Sequence, residues 1–310
     1  MTLANRGHPS PVAMAYSILS KPHTRDITMI QIQSVYDAIK NRRHVAVKQA
    51  KHERIQSSIA DSTTPEEAAS LYLTRCTGLL GSSAKVQKGE KYEYKTKVMY
   101  FAPHKLSGLQ VCPDATPSCR RACLGHSAGN LRFHVQSEIL KTWAFHYHPE
   151  LFMMKLQGEL WAHSVKSKCE GYKPVARLNG SSDLVWDVDG KGAILYDYTK
   201  SIERARASIG TDYHLTYSIS ETEQSLNEGI DLVRRGGTAA IVTHRSKTKA
   251  AKFASMMQEN YNVPVVDGDR HDLRFLDTGA LVTLTAKGQK LKGSDPFVWT
   301  EQRIRRRQSW

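Results

Sequence analysis

Short apolar segments alternate with helical patterns between residues 174 and 285, and this alternation constrains the fold more than any other feature. One further apolar segment precedes a cysteine-containing loop. The predicted strands are Lys97–Phe101, Val175–Leu178, Ala193–Tyr198, Tyr213–Ser218, Thr238–Thr243, Val263–Val266 and Ala280–Thr285. Parallel strands need long crossovers, which are usually helical. We therefore predict an α/β fold whose parallel sheet forms a partial or complete (β/α) barrel.

Helical patterns fill the intervals between these strands and also occupy the region before them. In that region, Ile27–Ile55 carries a partial apolar stripe, and a second helix starts at Thr63 with a cap, a proline and two glutamates. The other predicted helices are Ser127–His148, Pro149–Cys169, Ser201–Ala207, Thr222–Arg235 and Lys247–Asn260. We predict a helical, basic N-terminal extension at 1–80, a barrel-like domain at 81–300 and a basic tail at 301–310.

The charge balance is strongly basic. Lys and Arg number 44 against 30 Asp and Glu, which gives a formal net charge of +14. Such a balance is typical of proteins that contact nucleic acid or another polyanion. Four of the cations lie in the last eight residues, at Arg303, Arg305, Arg306 and Arg307. For this tail a solvated end is favoured over a dedicated binding arm.

No run of about 18 apolar residues occurs, so we expect no membrane-spanning helix and no membrane partner. The chain has five cysteines at uneven spacing, which differs from a secreted disulfide framework and predicts a cytoplasmic location. The oligomeric state is not predicted by any pattern in the sequence.

Three of the cysteines, Cys112, Cys119 and Cys123, fall within twelve residues and are followed by His126. The spacing is C-x6-C-x3-C. One interpretation is a structural zinc site made of the three sulfurs and His126. Another is a [4Fe–4S] cluster, in which three thiolates bind three irons and leave the fourth iron open for S-adenosylmethionine. A disulfide with one free thiol, or three inert thiols, are the remaining alternatives.

Three separated motifs resemble an uncharacterised group of tailed-phage proteins that have a CP-x5-C-x3-C signature. They are the cysteine run from Cys112 to Leu124, the segment Arg177–Asp183 (RLNGSSD) and the segment Tyr196–Lys200 (YDYTK). That group in turn is similar to radical S-adenosylmethionine enzymes, in which three cysteines lie on the loop after the first barrel strand. The resemblance implies an iron–sulfur enzyme located in the host-cell cytoplasm. The spacing in those enzymes is C-x3-C-x2-C, so the zinc interpretation stays open.

Polar residues follow almost every predicted strand. In parallel α/β sheets, ligands bind beyond the carboxyl ends of the strands, so we expect these residues to share one site. The candidate catalytic residues are Arg177, Asp183, Lys200 and Asp267. The candidate cofactor-binding residues are Asn179, Ser181, Thr199 and Ser218.

These observations support one leading hypothesis and two alternatives. The leading hypothesis is a radical S-adenosylmethionine-like enzyme with a [4Fe–4S] cluster, whose expected substrate is nucleic acid or a nucleotide. The first alternative is a zinc-stabilised nucleic-acid-binding protein without catalysis. The second is a metal-dependent nuclease centred on Asp267, Asp269 and His271. Neither a phosphate-binding loop nor a G-x-S-x-G motif occurs, which argues against the corresponding nucleotide and hydrolase classes.

Overall fold

A computed structural model describes residues 49–75, 78–123, 134–287 and 295–308. Its centre is a seven-stranded sheet in the order β1-β2-β3-β4-β5-β7-β6, in which every strand pair is parallel. The sheet curls into a half-barrel. The strands are β1 Tyr94–Val98, β2 Lys173–Arg177, β3 Ile194–Thr199, β4 Tyr213–Ser218, β5 Thr238–Thr243, β6 Val265–Asp267 and β7 Leu281–Thr285. The predicted fold class is confirmed, and each strand overlaps or adjoins its predicted segment.

Helices connect the strands and cover the outer face of the sheet. Several begin where the sequence places a hydroxyl cap, as at Ser201, Thr222 and Ser246, whose side chains accept a backbone N–H of the first turn. The helices are α1 Gln49–Ala60, α2 Pro65–Arg75, α3 Ala84–Gln87, α4 Pro117–Ala122, α5 Val135–Tyr147, α6 Pro149–Cys169, α7 Ile202–Ala207, α8 Glu223–Arg234, α9 Lys247–Tyr261 and α10 Glu301–Gln308.

The helical extension before the sheet is present in part. Helix α2 begins at Pro65 as its start signal predicts, and it packs against α5. Helix α1 continues to Ala60, beyond the predicted end at Ile55, whereas the first part of the predicted helix Ile27–Ile55 lies outside the described residues. The boundaries at residues 80 and 300 stay predictions. The basic tail contains helix α10 over residues 301–308.

Two buried apolar clusters hold the helices against the outer face. The first lies under β1–β3 and includes Phe101, Leu140 and Leu156. The second lies under β4–β7 and includes Ile241 and Phe253. Parallel sheets are covered on their faces rather than exposed to water. The apolar area that the helices bury against the sheet is therefore the main source of the stability of this fold.

The inner face of the half-barrel is filled by the connection between β6 and β7, residues 268–280. The aromatic ring of Phe275, which lies in this connection, packs against Tyr94, Tyr196 and His214 from three different strands. Asp272 of the same connection pairs with Lys85 of α3 at 2.6 Å. This connection therefore ties the strand β7 side of the sheet to the segment that precedes β1.

Candidate functional site

The carboxyl ends of all seven strands lie along one edge of the sheet, which we call the carboxyl edge. The connection from β1 to α5 leaves this edge and contains Cys112, Cys119 and Cys123. It is held to the chain that follows β2, because Asp183 N donates to Val111 O at 2.8 Å and the Cys112 thiol contacts Ser181 O at 3.6 Å. The cysteine loop is therefore fastened to the end of the neighbouring strand.

Helix α4 in this loop carries Cys119 and is fastened to the end of β4. Thr116 caps the helix and accepts from Cys119 N at 3.2 Å. Glu221, which follows β4, accepts from the Thr116 hydroxyl at 2.6 Å and from Ser118 N at 3.2 Å. A carboxylate at the first turn also offsets the positive end of a helix. The position of Cys119 thus depends on a residue that is distant in sequence.

The three cysteines of the loop are half-buried thiols. Burial raises the pKa of Cys112 to about 12, and repulsion from Cys123 and Cys119 acts in the same direction. Burial also raises the pKa of Cys119, while Lys200 and Arg120 oppose that shift. The raised pKa values mean that Cys112 and Cys119 are protonated at neutral pH.

Nowhere in the described ranges do three His, Cys, Asp or Glu side chains already surround a common metal position. His126, the fourth ligand of the zinc interpretation, lies outside those ranges. The structure therefore places the three cysteines on one connection without arranging their sulfurs as ligands of one metal.

Lys200 is the cation that the structure places next to the cysteine loop. It follows β3, and its Nζ donates to Ser218 O at 2.7 Å and to Ile219 O at 3.3 Å. The ammonium also lies 4.8 Å from the centre of the Phe297 ring. Burial lowers the pKa of Lys200, although Cys119, Asp183 and Glu221 favour its charged form. Ser218 contributes its backbone carbonyl here rather than its hydroxyl.

Asp183 connects the chain after β2 to the chain after β3. Its carboxylate accepts from Lys200 N at 2.7 Å, from Thr199 Oγ1 at 3.3 Å and from Arg204 Nη1 at 2.6 Å. Burial raises the pKa of Asp183, and Arg204 opposes that shift. The candidates Ser181, Asp183, Thr199, Lys200 and Ser218 thus lie together at the carboxyl edge, beside the cysteines.

Asn179 closes the loop that leads to Asp183. Its side-chain oxygen accepts from Ser182 Oγ, Leu184 N and Trp186 Nε1 at 2.8, 3.0 and 3.1 Å, and its amide donates to Leu184 O at 2.9 Å. The residue is 2% exposed. Because these contacts engage both ends of the side-chain amide, Asn179 positions the loop, and its binding of a cofactor stays a prediction.

Arg177 projects from the end of β2 toward the inner face. Its Nη1 contacts Asp272 at 3.1 Å, its Nε lies 3.6 Å from Asp197, and the guanidinium stands 4.8 Å from the centre of the Tyr198 ring. Burial alone would raise the pKa of Asp272, but Lys85 and Arg177 hold it well below its usual range. Arg177 therefore belongs to an ion-pair network inside the half-barrel, on a different face from the helices.

Asp267 lies at the end of the edge strand β6, with β7, β5 and β4 between it and β3. Its carboxylate is exposed and accepts from Asp269 N at 2.9 Å. Asp269 in turn accepts from Thr285 N at 3.1 Å, and His271 packs edge-on against Tyr92. The three residues of the nuclease alternative thus have separate partners, as a turn would give them.

The segment before α10 covers part of the carboxyl edge, which no sequence pattern indicated. Phe297 and Val298 pack with Ala122, beside Cys119. Trp299 donates from its indole N–H to Ser220 O at 2.9 Å. Arg303 stacks 3.7 Å from the centre of the Trp299 ring and donates to the backbone oxygen of Glu221. The chain end is therefore part of the site.

Two further residues of the site are Arg204, which the sequence did not single out, and Glu221, which is one of the polar residues that follow the predicted strand Tyr213–Ser218. Each balances or caps a group that comes from a different connection, so only the folded arrangement identifies its partner. The Thr-Pro pair at Thr116 gives a helix-start signal, and a helix start attracts an anion, but the anion cannot be named from that signal.

The fold and the cysteine loop at the carboxyl edge together define the structural class of the protein. It is an α/β half-barrel protein with a thiol-bearing loop at the carboxyl ends of its strands. A family model described as gene product 88 matches residues 73–306. The chain belongs to the gene product 88 family, a phage-type protein family. Searches of curated proteins and of solved structures give no match. None of the helices in the described ranges has both the length and the apolar character needed to cross a membrane.

Proposed function

We propose that this protein is an iron–sulfur enzyme of radical S-adenosylmethionine character. The observation that carries the proposal is that one connection at the carboxyl edge of a half-barrel contains Cys112, Cys119 and Cys123, with Lys200 beside Cys119. Parallel α/β folds bind their ligands at this edge. The cysteines come from the connection after β1, as the resemblance to radical enzymes implies.

The donor set fits a cluster that takes three protein ligands. Thiolate sulfur is the usual protein ligand of iron–sulfur clusters, and cluster binding deprotonates the thiols that it uses. The raised pKa of Cys112 and of Cys119 means that an empty site stays neutral, whereas Lys200 and Arg120 lower the cost of charge at Cys119. Since the three sulfurs do not yet surround one position, binding includes a rearrangement of the loop.

Cys112, Cys119 and Cys123 would hold the cluster, which would supply one-electron reduction of S-adenosylmethionine with an electron taken from an external reductant. The chain's own residues prepare the site for that ligand. Asp183 and Glu221 keep a positive charge favourable at Lys200, and Lys200 stabilises negative charge at Cys119. Phe297 shields the ammonium on one side and keeps water from it. We assign no step to Arg177 or Asp267, whose partners lie elsewhere.

The decisive measurement is the iron and sulfide content of protein purified without oxygen, together with its absorption and electron paramagnetic resonance spectra. We expect iron and sulfide in near-equal amounts and a broad band near ~400 nm, typical of sulfur-to-iron charge transfer. Serine at Cys112, Cys119 or Cys123 should remove the iron. Serine at Cys169, an exposed thiol on α6, is the matched control and should leave the iron unchanged.

Each alternative has its own result. About one zinc per chain, without colour, would overturn the iron–sulfur proposal in favour of a structural zinc site. Protein that binds neither metal would overturn both. If iron and sulfide are bound, cleavage of S-adenosylmethionine in the presence of a strong reductant is the next assay, and its absence would limit the function to cluster binding. The reducing environment that such a cluster needs agrees with the expected cytoplasmic location.

A further inference from the structure

The carboxyl edge is flanked by exposed cations on three neighbouring elements, which we call the basic rim. The rim consists of Arg120 and Arg121 on α4, Lys247 and Lys249 in the first turn of α9, and Arg305 and Arg306 on α10. All six residues are exposed. They come from segments that are far apart in the sequence, so only the folded chain brings them to one edge.

Two contacts of α10 reach chain segments next to the other two elements of the basic rim. Arg303 of α10 donates to the backbone oxygen of Glu221, whose carboxylate holds the start of α4. Glu301 at the start of α10 pairs at 2.5 Å with His244, which follows β5 and precedes α9. Helix α10 is therefore linked to α4 through Glu221 and to the chain before α9 through His244.

The docking of α10 also explains why its charges face outward. Ile304 is completely buried and Trp299 nearly so, which anchors one side of the segment in the core. The guanidinium of Arg303 is used in that anchor, because it stacks on Trp299. Arg305 and Arg306 stay exposed on a helix that packing holds in place. Positioned cations lose less freedom on binding an anion than cations of an unstructured end.

Few carboxylates neutralise this surface. The first turn of α9 contains no acidic residue, and neither does the first turn of α4. On the same elements and their flanks, Glu221 and Glu301 are engaged in the contacts described above, and the exposed carboxylates are Asp114, Glu223 and, near the other end of α9, Glu259. The rim thus carries an excess of positive charge beside the thiols and Lys200.

We propose that the basic rim binds the phosphate backbone of a nucleic acid and presents the nucleic acid to the carboxyl edge. An extended row of cations over several elements matches a polyanion with regularly spaced charges. It does not match a single small anion, which a compact pocket would bind. The proposal deepens the proposed function by naming its substrate class, and it rests on that function only for the reaction that follows binding.

The test is binding of the full-length protein to fluorescently labelled oligonucleotides, followed by anisotropy as the salt concentration rises. Single-stranded DNA, double-stranded DNA and RNA are separate probes. We expect binding that weakens steeply with salt, because each phosphate contact releases counterions. The paired variants Arg305→Gln with Arg306→Gln, and Lys247→Gln with Lys249→Gln, should each weaken binding by roughly tenfold or more at about 0.1 M salt.

The matched control is Lys166→Gln with Lys168→Gln. It makes the same change of charge at exposed lysines near the end of α6, which leads into the amino end of β2. We expect this control to bind within about twofold of the wild type, with an unchanged slope of log affinity against log salt, while each rim pair lowers that slope by roughly 1.4 to 1.8. Circular dichroism and thermal unfolding check that all variants fold.

Two results would overturn the proposal: no salt-dependent binding to any probe, or an equal loss of affinity in the control and in the rim variants. The second result would assign the affinity to overall charge. Failure of the iron–sulfur proposal is distinguishable, because the Cys112→Ser protein should lack iron and still bind the oligonucleotides with wild-type affinity. Loss of binding in that variant, if it is folded, would also contradict a separate role for the rim.

Discussion

Removal of the Asp197 carboxylate should destabilise the protein more than removal of any other single acceptor near the candidate site. Asp197 is completely buried on β3. It accepts from Leu178 N at 3.1 Å, from Asn179 N at 2.8 Å and from Tyr213 Oη at 2.6 Å. The side chain thereby replaces a strand-to-strand bond, because β2 and β3 are paired only up to Ala176.

The expected magnitude follows from the donors that Asp197→Ala leaves unpaired. Two buried backbone amides lose their acceptor, and each unpaired amide costs about 1–3 kcal/mol. The Tyr213 hydroxyl can rotate, so we do not count it. The total is a loss of roughly 2–6 kcal/mol in the free energy of unfolding. The variant Asp197→Asn keeps one acceptor oxygen of the same shape and should lose clearly less.

The pH dependence gives a second test of the same reasoning. Burial raises the pKa of Asp197 to about 7, although Arg177 and Tyr213 favour the charged form. A carboxyl whose pKa rises on folding contributes stability that is present below its unfolded value and is lost as the pH rises through the folded value. The stability difference between wild type and the Ala variant should therefore shrink between about pH 4 and pH 7.

The assay is urea unfolding followed by circular dichroism, at several pH values, for wild type and both variants. A change in midpoint with an unchanged slope reports stability alone. An Ala variant within about 0.5 kcal/mol of the wild type would refute the argument, because that is the range of neutral surface changes. An Asn variant as unstable as the Ala variant would show that both carboxylate oxygens are needed, since each accepts from a different amide.

Three further predictions concern packing and charge around the same edge. Gly180→Ala should cost roughly 2–4 kcal/mol in urea unfolding, because its Cβ would lie 2.6 Å from Met99 O, and a variant as stable as wild type would contradict this contact. Burial raises the pKa of Glu138 to about 8. The wild type should therefore lose stability relative to Glu138→Gln as the pH rises from about 5 to 8. Parallel profiles of thermal stability against pH for the two proteins would refute this prediction. Trp299→Phe loses the hydrogen bond to Ser220 O and should lower the free energy of unfolding by about 1 kcal/mol. Cys119 should then react faster with a thiol reagent, because the segment that packs beside it is held less firmly.

The strands were predictable because each one has a local signature. A segment such as Thr238–Thr243 is apolar enough to be covered on both faces, and polar residues mark its end. Parallel pairing follows from the crossovers, so the shared edge was predictable as well. In the structure, Asp183 accepts hydrogen bonds from Thr199 and Lys200 at this edge, while the functional role of the three residues stays a prediction.

The roles of individual polar residues were not predictable, since both loop closure and ligand binding need the same residue types. Asn179 shows this directly: its four side-chain hydrogen bonds organise a loop, and nothing in the segment RLNGSSD separates that use from ligand contact. Arg177 shows the second obstacle. Its partner Asp272 lies 95 residues away, and which face of the sheet receives Arg177 depends on strand register.

Helix α10 illustrates the third obstacle, which is that few of its residues indicate burial. Ile304 is the apolar residue that anchors the helix, and the charged and polar residues around it give the pattern of a solvated tail. Its position is determined by Trp299, which precedes the helix, and by the contact of Arg303 with Glu221. The same Glu221 holds the start of α4 and therefore Cys119. The Glu221 carboxylate holds α4, and the Glu221 backbone oxygen accepts from Arg303 of α10. Glu221→Ala removes only the carboxylate, so it should raise the thiol reactivity of Cys119 while α10 keeps its contact with residue 221. Glu221→Gln, which keeps one acceptor oxygen, should raise that reactivity less. Thiol reactivity and oligonucleotide affinity measured on the same samples would test this, and a loss of affinity as large as that of the paired variant Arg305→Gln with Arg306→Gln would show that the carboxylate also positions α10.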